Sequence, residues 1–396
     1  GLRQGRNLQV KPYVVAGSSS GSQVPDASLG SHGDAGLDVK YGVTPSLTLD
    51  LTYNTDFSQV EVDQEQVNLT RFSLFFPERR EFFIENAGSF TLGDVEERNY
   101  RMGASLRDFT FFNSRRIGLT SDGRPIPILG GGRLSGRAYG WELGLLDMQT
   151  QRTADGPGEN FGVLRARRNI SARSDVGFMA QRRAVTDSGG GDALSYGVDA
   201  NLRPFGSLIV NAYAVASEGP GGSADGYAAR TSVAYRSKLW NSSAMVKRVS
   251  DAFNPAMGFV RRRGMQQSYG TVGMHLRPSW RGIQEMAPYV EVDYVADLRG
   301  QLDTRSLQAG VDLQFRPDGT LSLEIQDQFD RLEQPFTVFP DRTIPVGAYR
   351  WREGAVRLQS PQSRALSASA AATTGGFYDG TRSSYGGMAT WRARHN

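Results

Sequence analysis

The chain has 396 residues, 39% of them hydrophobic and 22% charged, with 47 Gly, no Cys and a mean hydropathy of −0.42. That is too thin an apolar inventory for one large dry core, because a soluble all-β protein of this length needs strands that are apolar on both faces. The 45 basic and 41 acidic residues nearly cancel to +4, which speaks against a nucleic-acid partner, and no apolar run approaches the roughly 18 residues of a membrane helix.

Read in chain order, strands are predicted at 6–16, 34–43, 46–55, 126–137, 139–150, 159–169, 174–184, 193–203, 206–217, 226–237, 239–249, 267–277, 287–298, 304–316, 319–331, 346–358, 363–373 and 383–394, about 18 in all. Their common mark is strict alternation. In SLTLDLTYNT (46–55), Leu47, Leu49, Leu51 and Tyr53 share one face, and Thr48, Asp50, Thr52 and Asn54 the other. APYVEVDYVAD (287–297), SLQAGVDLQFR (306–316) and LSLEIQDQF (321–329) repeat the scheme. A sheet with one apolar and one charged face meets two different media. With this composition, the expectation is an all-β fold over 1–396: a single antiparallel transmembrane β-barrel of about 18 strands, apolar face toward outer-membrane lipid and polar face toward a wet lumen.

The connections support that topology. Tight turns (VTPS at 43–46, RPFG at 203–206, RPDG at 316–319, SPQS at 360–363) alternate with long Gly-, Ser- and Asp-rich segments such as 17–33, 186–192 and 217–226. Bacterial outer-membrane barrels place short turns in the periplasm and long loops outside. If the turns at 43–46 and 138–140 are both periplasmic, residues 56–125 cross the membrane an even number of times, most simply zero. They are expected to form an inserted plug or constriction in the lumen or its mouth, although a pair of short strands within 95–117 also satisfies the count. Within it, VNLTRFSLFFPERREFFIENAGSF (67–90) lacks alternation and sets clustered aromatics beside paired charges.

NTDFSQVEVDQEQVNLTRFSLFFPERREFFIENAGSF (54–90), FFNSRRIG (111–118), ILGGGRLSGR (128–137), FNPAMGFVRR (253–262) and FYDG (377–380) together resemble an outer-membrane barrel domain of unknown function, one that commonly follows a periplasmic module similar to family-9 carbohydrate-binding domains. The resemblance implies a bacterial outer-membrane barrel linked to glycan or oligosaccharide handling, with a periplasmic or envelope protein as a further partner. It brings no catalytic residues. The carbohydrate-binding-like module is absent from this sequence, and WRARHN lacks the terminal aromatic usual in such barrels, so a piece of a longer protein is an open expectation. If the chain is complete, 383–394 must pair with 6–16.

No catalytic constellation emerges. GSSSG (17–21) sits in a Ser-rich loop rather than a strand–turn–helix elbow, and His32, His275 and His395 are scattered. An enzyme, a cofactor and a resident metal are therefore not expected. Glu61, Asp63 and Glu65 share a face if extended and offer oxygen ligands for a hard cation; pairing with Arg79, Arg80, Arg115 or Arg116 is the stronger expectation, because unpaired charge in a confined lumen is costly. Phe75, Phe76, Phe82 and Phe83 are expected to bury the inserted segment. Arg165, Arg167, Arg230, Arg236, Arg350 and Arg352 are assigned to lumen phases, opposed by Glu291, Asp293 and Glu324, which would set a transverse field for polar solutes. Tyr13, Tyr53, Trp141, Tyr235, Trp240 and Trp351 are candidates for interfacial girdles. The functional expectation is a channel or substrate-specific porin for polar solutes, with a plugged anchor or receptor as the alternative.

Overall fold

The computed structural model describes residues 7–18, 31–54, 72, 75–93, 109–119, 126–153, 156–186, 191–220, 226–280, 282–316, 318–339 and 342–392. Eighteen strands form one sheet: β1 (Leu8–Ser18), β2 (Ser31–Thr44), β3 (Leu47–Tyr53), β5 (Ile128–Ala138), β6 (Trp141–Thr150), β7 (Glu159–Ser171), β8 (Ser174–Val185), β9 (Ala193–Phe205), β10 (Leu208–Glu218), β11 (Gly226–Arg236), β12 (Trp240–Val249), β14 (Met265–Met274), β15 (Ile283–Asp297), β16 (Leu302–Phe315), β17 (Thr320–Leu332), β20 (Gly347–Gln359), β21 (Leu366–Phe377) and β22 (Gly380–Trp391). Two minor ladders stand apart: β4 (Phe109–Thr110) with β13 (Phe259–Val260), and β18 (Phe336–Phe339) with β19 (Arg342–Ile344).

Each sheet strand pairs antiparallel with the next in the chain, from β1–β2 through β21–β22. All 18 predicted strands are present, displaced by a few residues at their ends. β3 pairs directly with β5, so 54–127 contributes no strand to the large sheet among the described residues. Of the predicted pair within 95–117, the described residues show only the two-residue β4. No pairing between β22 and β1 occurs among the described residues, and none of their helices is long and apolar enough to cross a membrane.

The distribution of burial is inverted relative to a soluble sheet. One face presents Leu51, Leu145, Leu164, Val198, Val233, Val246, Val272, Val290, Ile325 and Val356 to the exterior, each more than a third exposed. The opposite face buries Asp50, Arg133, Arg165, Asp199, Arg230 and Lys247. A period of two forces this separation, since neighbours in one strand point to opposite sides. Tyr53, Trp141, Tyr235 and Trp240 lie on the exposed apolar phase, as a girdle requires.

Two girdle candidates do not. Tyr13 shares its phase with Lys11, whose Nζ donates to Glu81, and its hydroxyl donates to the Asn54 carbonyl at 2.7 Å. Trp351 packs on Tyr378 with ring centroids 4.7 Å apart, in a cluster that caps the polar face near the 333–346 connection. Arg350 and Arg352 correct the sequence reading in the other direction. They share the phase of Val356 and Leu358, and register places Arg352 opposite Asp327 and Arg350 opposite Phe329. Arginine's polarity suggested the lumen; the strand's phase puts both on the outward face.

Candidate functional site

Residues 75–93 and 109–119 dock onto the polar face of the sheet. α1 (Glu81–Ile84) is followed by a 3-10 turn at Ala87–Phe90, and Asn86, at φ 56°, makes the left-handed bend between them. The path sends Phe83 and Phe90 into a buried cluster with Phe111 and Ile117 of the same insertion and with Ile128, Met148, Phe161, Val163, Met179, Tyr213, Val215, Val249 and Val295 of the sheet. Burying each phenylalanine contributes about 1.5–3 kcal/mol. The exposed Lys11–Glu81 pair, 65% and 81% accessible, adds far less. Apolar burial therefore holds the segment down, and polar contacts fix its register.

Four polar anchors do so. Arg133, on β5, pairs with Asp50 through Nε at 3.2 Å and Nη2 at 2.7 Å, while its Nη1 donates to the carbonyls of Phe82 and Glu85 and its guanidinium faces the Phe82 ring. Lys40 adds an ion pair to Glu85. Farther along, Arg165 of β7 crosses β8 to reach Asp199 of β9 in a fork of 2.6 and 2.9 Å, and Asp199 Oδ2 accepts the amide of Gly93 at 3.1 Å. Glycine is required twice here. A Cβ on Gly177 would sit 2.4 Å from Arg165 Nη1, and Gly93 holds φ +78° with its would-be Cβ 2.7 Å from the Tyr213 ring. Gln181 completes the set by donating to the Phe111 carbonyl at 2.7 Å.

Arg80 ties the two pieces of the insertion together. It donates to Glu78 at 2.9 and 2.7 Å and to the carbonyls of Ile117 and Ser114, each at 2.7 Å, and lies 4.2 Å from the Phe83 ring centroid. Ser114 Oγ donates to the same carboxylate at 2.6 Å. Burial opposes ionisation of Glu78, but the hydrogen bonds from Arg80, its charge and the Ser114 hydroxyl outweigh it and hold the carboxyl below its ordinary value of 4.5. A depressed native pKa gives stability that is present above the unfolded value and is lost as pH falls through the native one. Amide-exchange protection of 80–90 is thus expected to hold at neutral pH and to fall below about pH 4.5, and Glu78→Gln should flatten that acid limb. An acid limb that is the same in both proteins would assign it to other groups.

The remaining predicted residues divide between two zones. Phe75 stacks edge-on against Phe259 at 5.5 Å, Arg115 Nη1 donates to the Pro77 carbonyl at 3.0 Å with its guanidinium 5.7 Å from Phe76, and Arg116 ends the 3-10 turn Ser114–Arg116. Arg79 lines a cleft of about 570 Å³ with Lys11, Lys40, Asp50, Glu81 and Arg133. Arg167 pairs with Glu142 at 2.9 Å, Arg230 is buried with Nη1 3.4 Å from Asn211, and Arg236 ends β11 on the same face. Glu61, Asp63 and Glu65 lie outside the described residues. Among the described residues, no three acidic or histidine side chains gather as metal ligands.

The second zone is the polar face of β15–β22, which the docked cluster meets at Val295 of β15. Gln308 donates to Tyr289, Tyr289 to Glu324 at 3.2 Å, Gln326 to Gln308 and Glu324, and Gln328 to Gln326. Arg357 adds a cation on Glu324 at 3.2 Å, and Arg382 one on Glu353 at 2.7 Å. Asp293 accepts from Gln267 at 2.6 Å, one register step from Glu291. This half-buried track of amides and paired charges ends in the Trp351, Phe377, Tyr378 and Tyr349 rings. Sequence reading found Glu291, Asp293 and Glu324 but missed the Gln308–Gln326–Gln328 ladder, and it missed Arg133, Gly177 and Gln181 in the first zone.

A family model described as a domain of unknown function (DUF5916) matches residues 6–155, the part that contains the insertion and its Arg133 anchor. No curated protein and no solved structure matches the chain.

Proposed function

We propose that the protein is an outer-membrane β-barrel forming a constricted channel for polar solutes, with oligosaccharides the substrate class that its amide and aromatic track suits. One observation carries the reading: large aliphatic residues are exposed on one face of the sheet while ion pairs are buried on the other. In water that arrangement wastes apolar surface over 18 strands; in a bilayer it is the stable one. The inserted segment narrows the lumen on the β1–β14 side, and the hydrogen-bonded track on β15–β22 lines the passage that is left. Sugars offer hydroxyl donors and acceptors together with flat C–H faces, which amide ladders and aromatic rings match.

The alternative is a plugged, non-conducting barrel that anchors a periplasmic carbohydrate-binding-like module or another envelope partner. The extent of the apolar cluster under the insertion favours it, since so many buried contacts suit a permanent seal. Single-channel recording in planar bilayers separates the two: discrete openings slowed by oligosaccharides support the channel, and silence from a protein whose gel mobility is heat-modifiable supports the anchor.

Orientation of the sheet has its own test. Ile325, mid-strand on the exposed phase, should lose about 2–4 kcal/mol on Ile325→Arg, whereas Gln326→Arg, which places a cation beside Glu324, should cost much less. Equal losses in refolding titrations would reverse or abolish the assignment of lipid and lumen faces.

A further inference from the structure

The outward phase of β16, β17 and β20 is apolar for most of its length and then changes character. Leu307, Leu323, Ile325, Val356 and Leu358 are between 40% and 57% exposed. Toward the 333–346 connection, the same phase carries Arg305, Asp327, Arg350 and Arg352. Asp327 accepts from Arg305 Nη2 at 2.8 Å, from Arg350 Nη2 at 2.9 Å and from Arg352 Nε at 3.0 Å. The carboxylate is 12% accessible, while the three guanidinium side chains are 30%, 59% and 72% accessible.

Charge and donor count define what such a cluster takes. Three guanidinium groups against one carboxylate leave two positive charges. Each guanidinium has five N–H donors, of which Arg305 and Arg352 each give one to Asp327 and Arg350 gives two. A carboxylate ligand would neutralise only one charge and a zwitterionic head none. A phosphate group carries close to two and presents several strong acceptors to forked donors. The apolar stripe that runs directly from the cluster is suited to acyl chains. We propose that Arg305, Arg350 and Arg352, organised by Asp327, hold the phosphate group of a membrane lipid whose chains lie along Leu307, Ile325 and Val356. The inference rests on the reading that the apolar face meets lipid.

Native mass spectrometry of the full chain, released from micelles doped with equal amounts of dioleoyl phosphatidic acid and dioleoyl phosphatidylcholine, tests it. The wild type should retain the phosphatidic acid over phosphatidylcholine by about tenfold, and Arg350→Gln/Arg352→Gln should bring the ratio near one. Excess inorganic phosphate should leave the wild-type ratio intact, since the chains contribute to the site. Equal retention of both lipids by the wild type, an undiminished ratio in the variant, or full displacement by inorganic phosphate would each overturn the lipid site, the last in favour of a free-anion site. Failure of the membrane reading looks different: a wild type that stays monodisperse without detergent and retains neither lipid. The wild-type comparison stands even if the double variant misfolds.

Discussion

On the channel reading, deleting residues 57–89 should raise single-channel conductance severalfold, because the segment's described part, 75–89, packs on the polar face of the sheet and brings its own charges there. The geometry explains why the effect should be large. Phe83 and Phe90 lie within the apolar cluster that extends from Ile128 of β5 to Val295 of β15, and the Arg133 and Lys40 anchors fix the segment against β2, β3 and β5. The deletion removes Phe83 and the Glu85 contacts, and leaves Phe90 and 109–119 packed on that side and the polar track on β15–β22 in place. The deletion keeps Asp50 opposite Arg133, so the cation retains its carboxylate and the sheet keeps its register there. Heat-modifiable gel mobility establishes that the variant is folded before conductance is compared. If conductance is unchanged in such a variant, 56–90 is an outer cap or docking surface and does not gate passage.

The fold was legible because an 18-strand meander writes itself locally. Each strand is apolar on one phase and polar on the other, each turn carries its own chemistry, and neighbours in sequence are neighbours in space. The parity of turns also anticipated that β3 would pair with β5 across a long insertion. What failed was assignment by residue identity. Arg350 and Arg352 are separated from Val356 and Leu358 by even numbers of residues, so the period of two places all four on one face; their charge alone pointed inward. Trp351 fails for the reciprocal reason, an aromatic on the polar phase that packs against Tyr378 instead of meeting an interface.

The site was harder to read because its chemistry is non-local. Arg133 was visible in GGGR, yet its partners Asp50, Phe82 and Glu85 lie 83, 51 and 48 residues away. Gly177 left no mark at all: its role is to leave room for a side chain from one neighbouring strand to reach the other, which depends on cross-strand register. The glutamine ladder has the same origin, since Gln308 and Gln326 face each other only once β16 and β17 are aligned.

Asp199→Ala should be the most damaging point substitution on the polar face. It removes the acceptor for both arms of Arg165, whose side chain is 3% exposed, and orphans the amide of Gly93. Stranding a buried cation costs about 3–5 kcal/mol, whereas replacing both members of a buried pair by apolar groups of similar volume is close to neutral. Arg165→Met/Asp199→Leu should therefore recover most of the loss in guanidinium titrations of the refolded protein. The double variant still lacks an acceptor for Gly93, so 90–93 should stay more open to amide exchange than in the wild type even when global stability returns. Gly177→Ala should mimic part of the single-variant loss, because the added methyl occupies the space between Arg165 and Asp199. A cost below about 1 kcal/mol for Asp199→Ala would mean that water reaches Arg165, and that this pair adds little to the hold on the insertion.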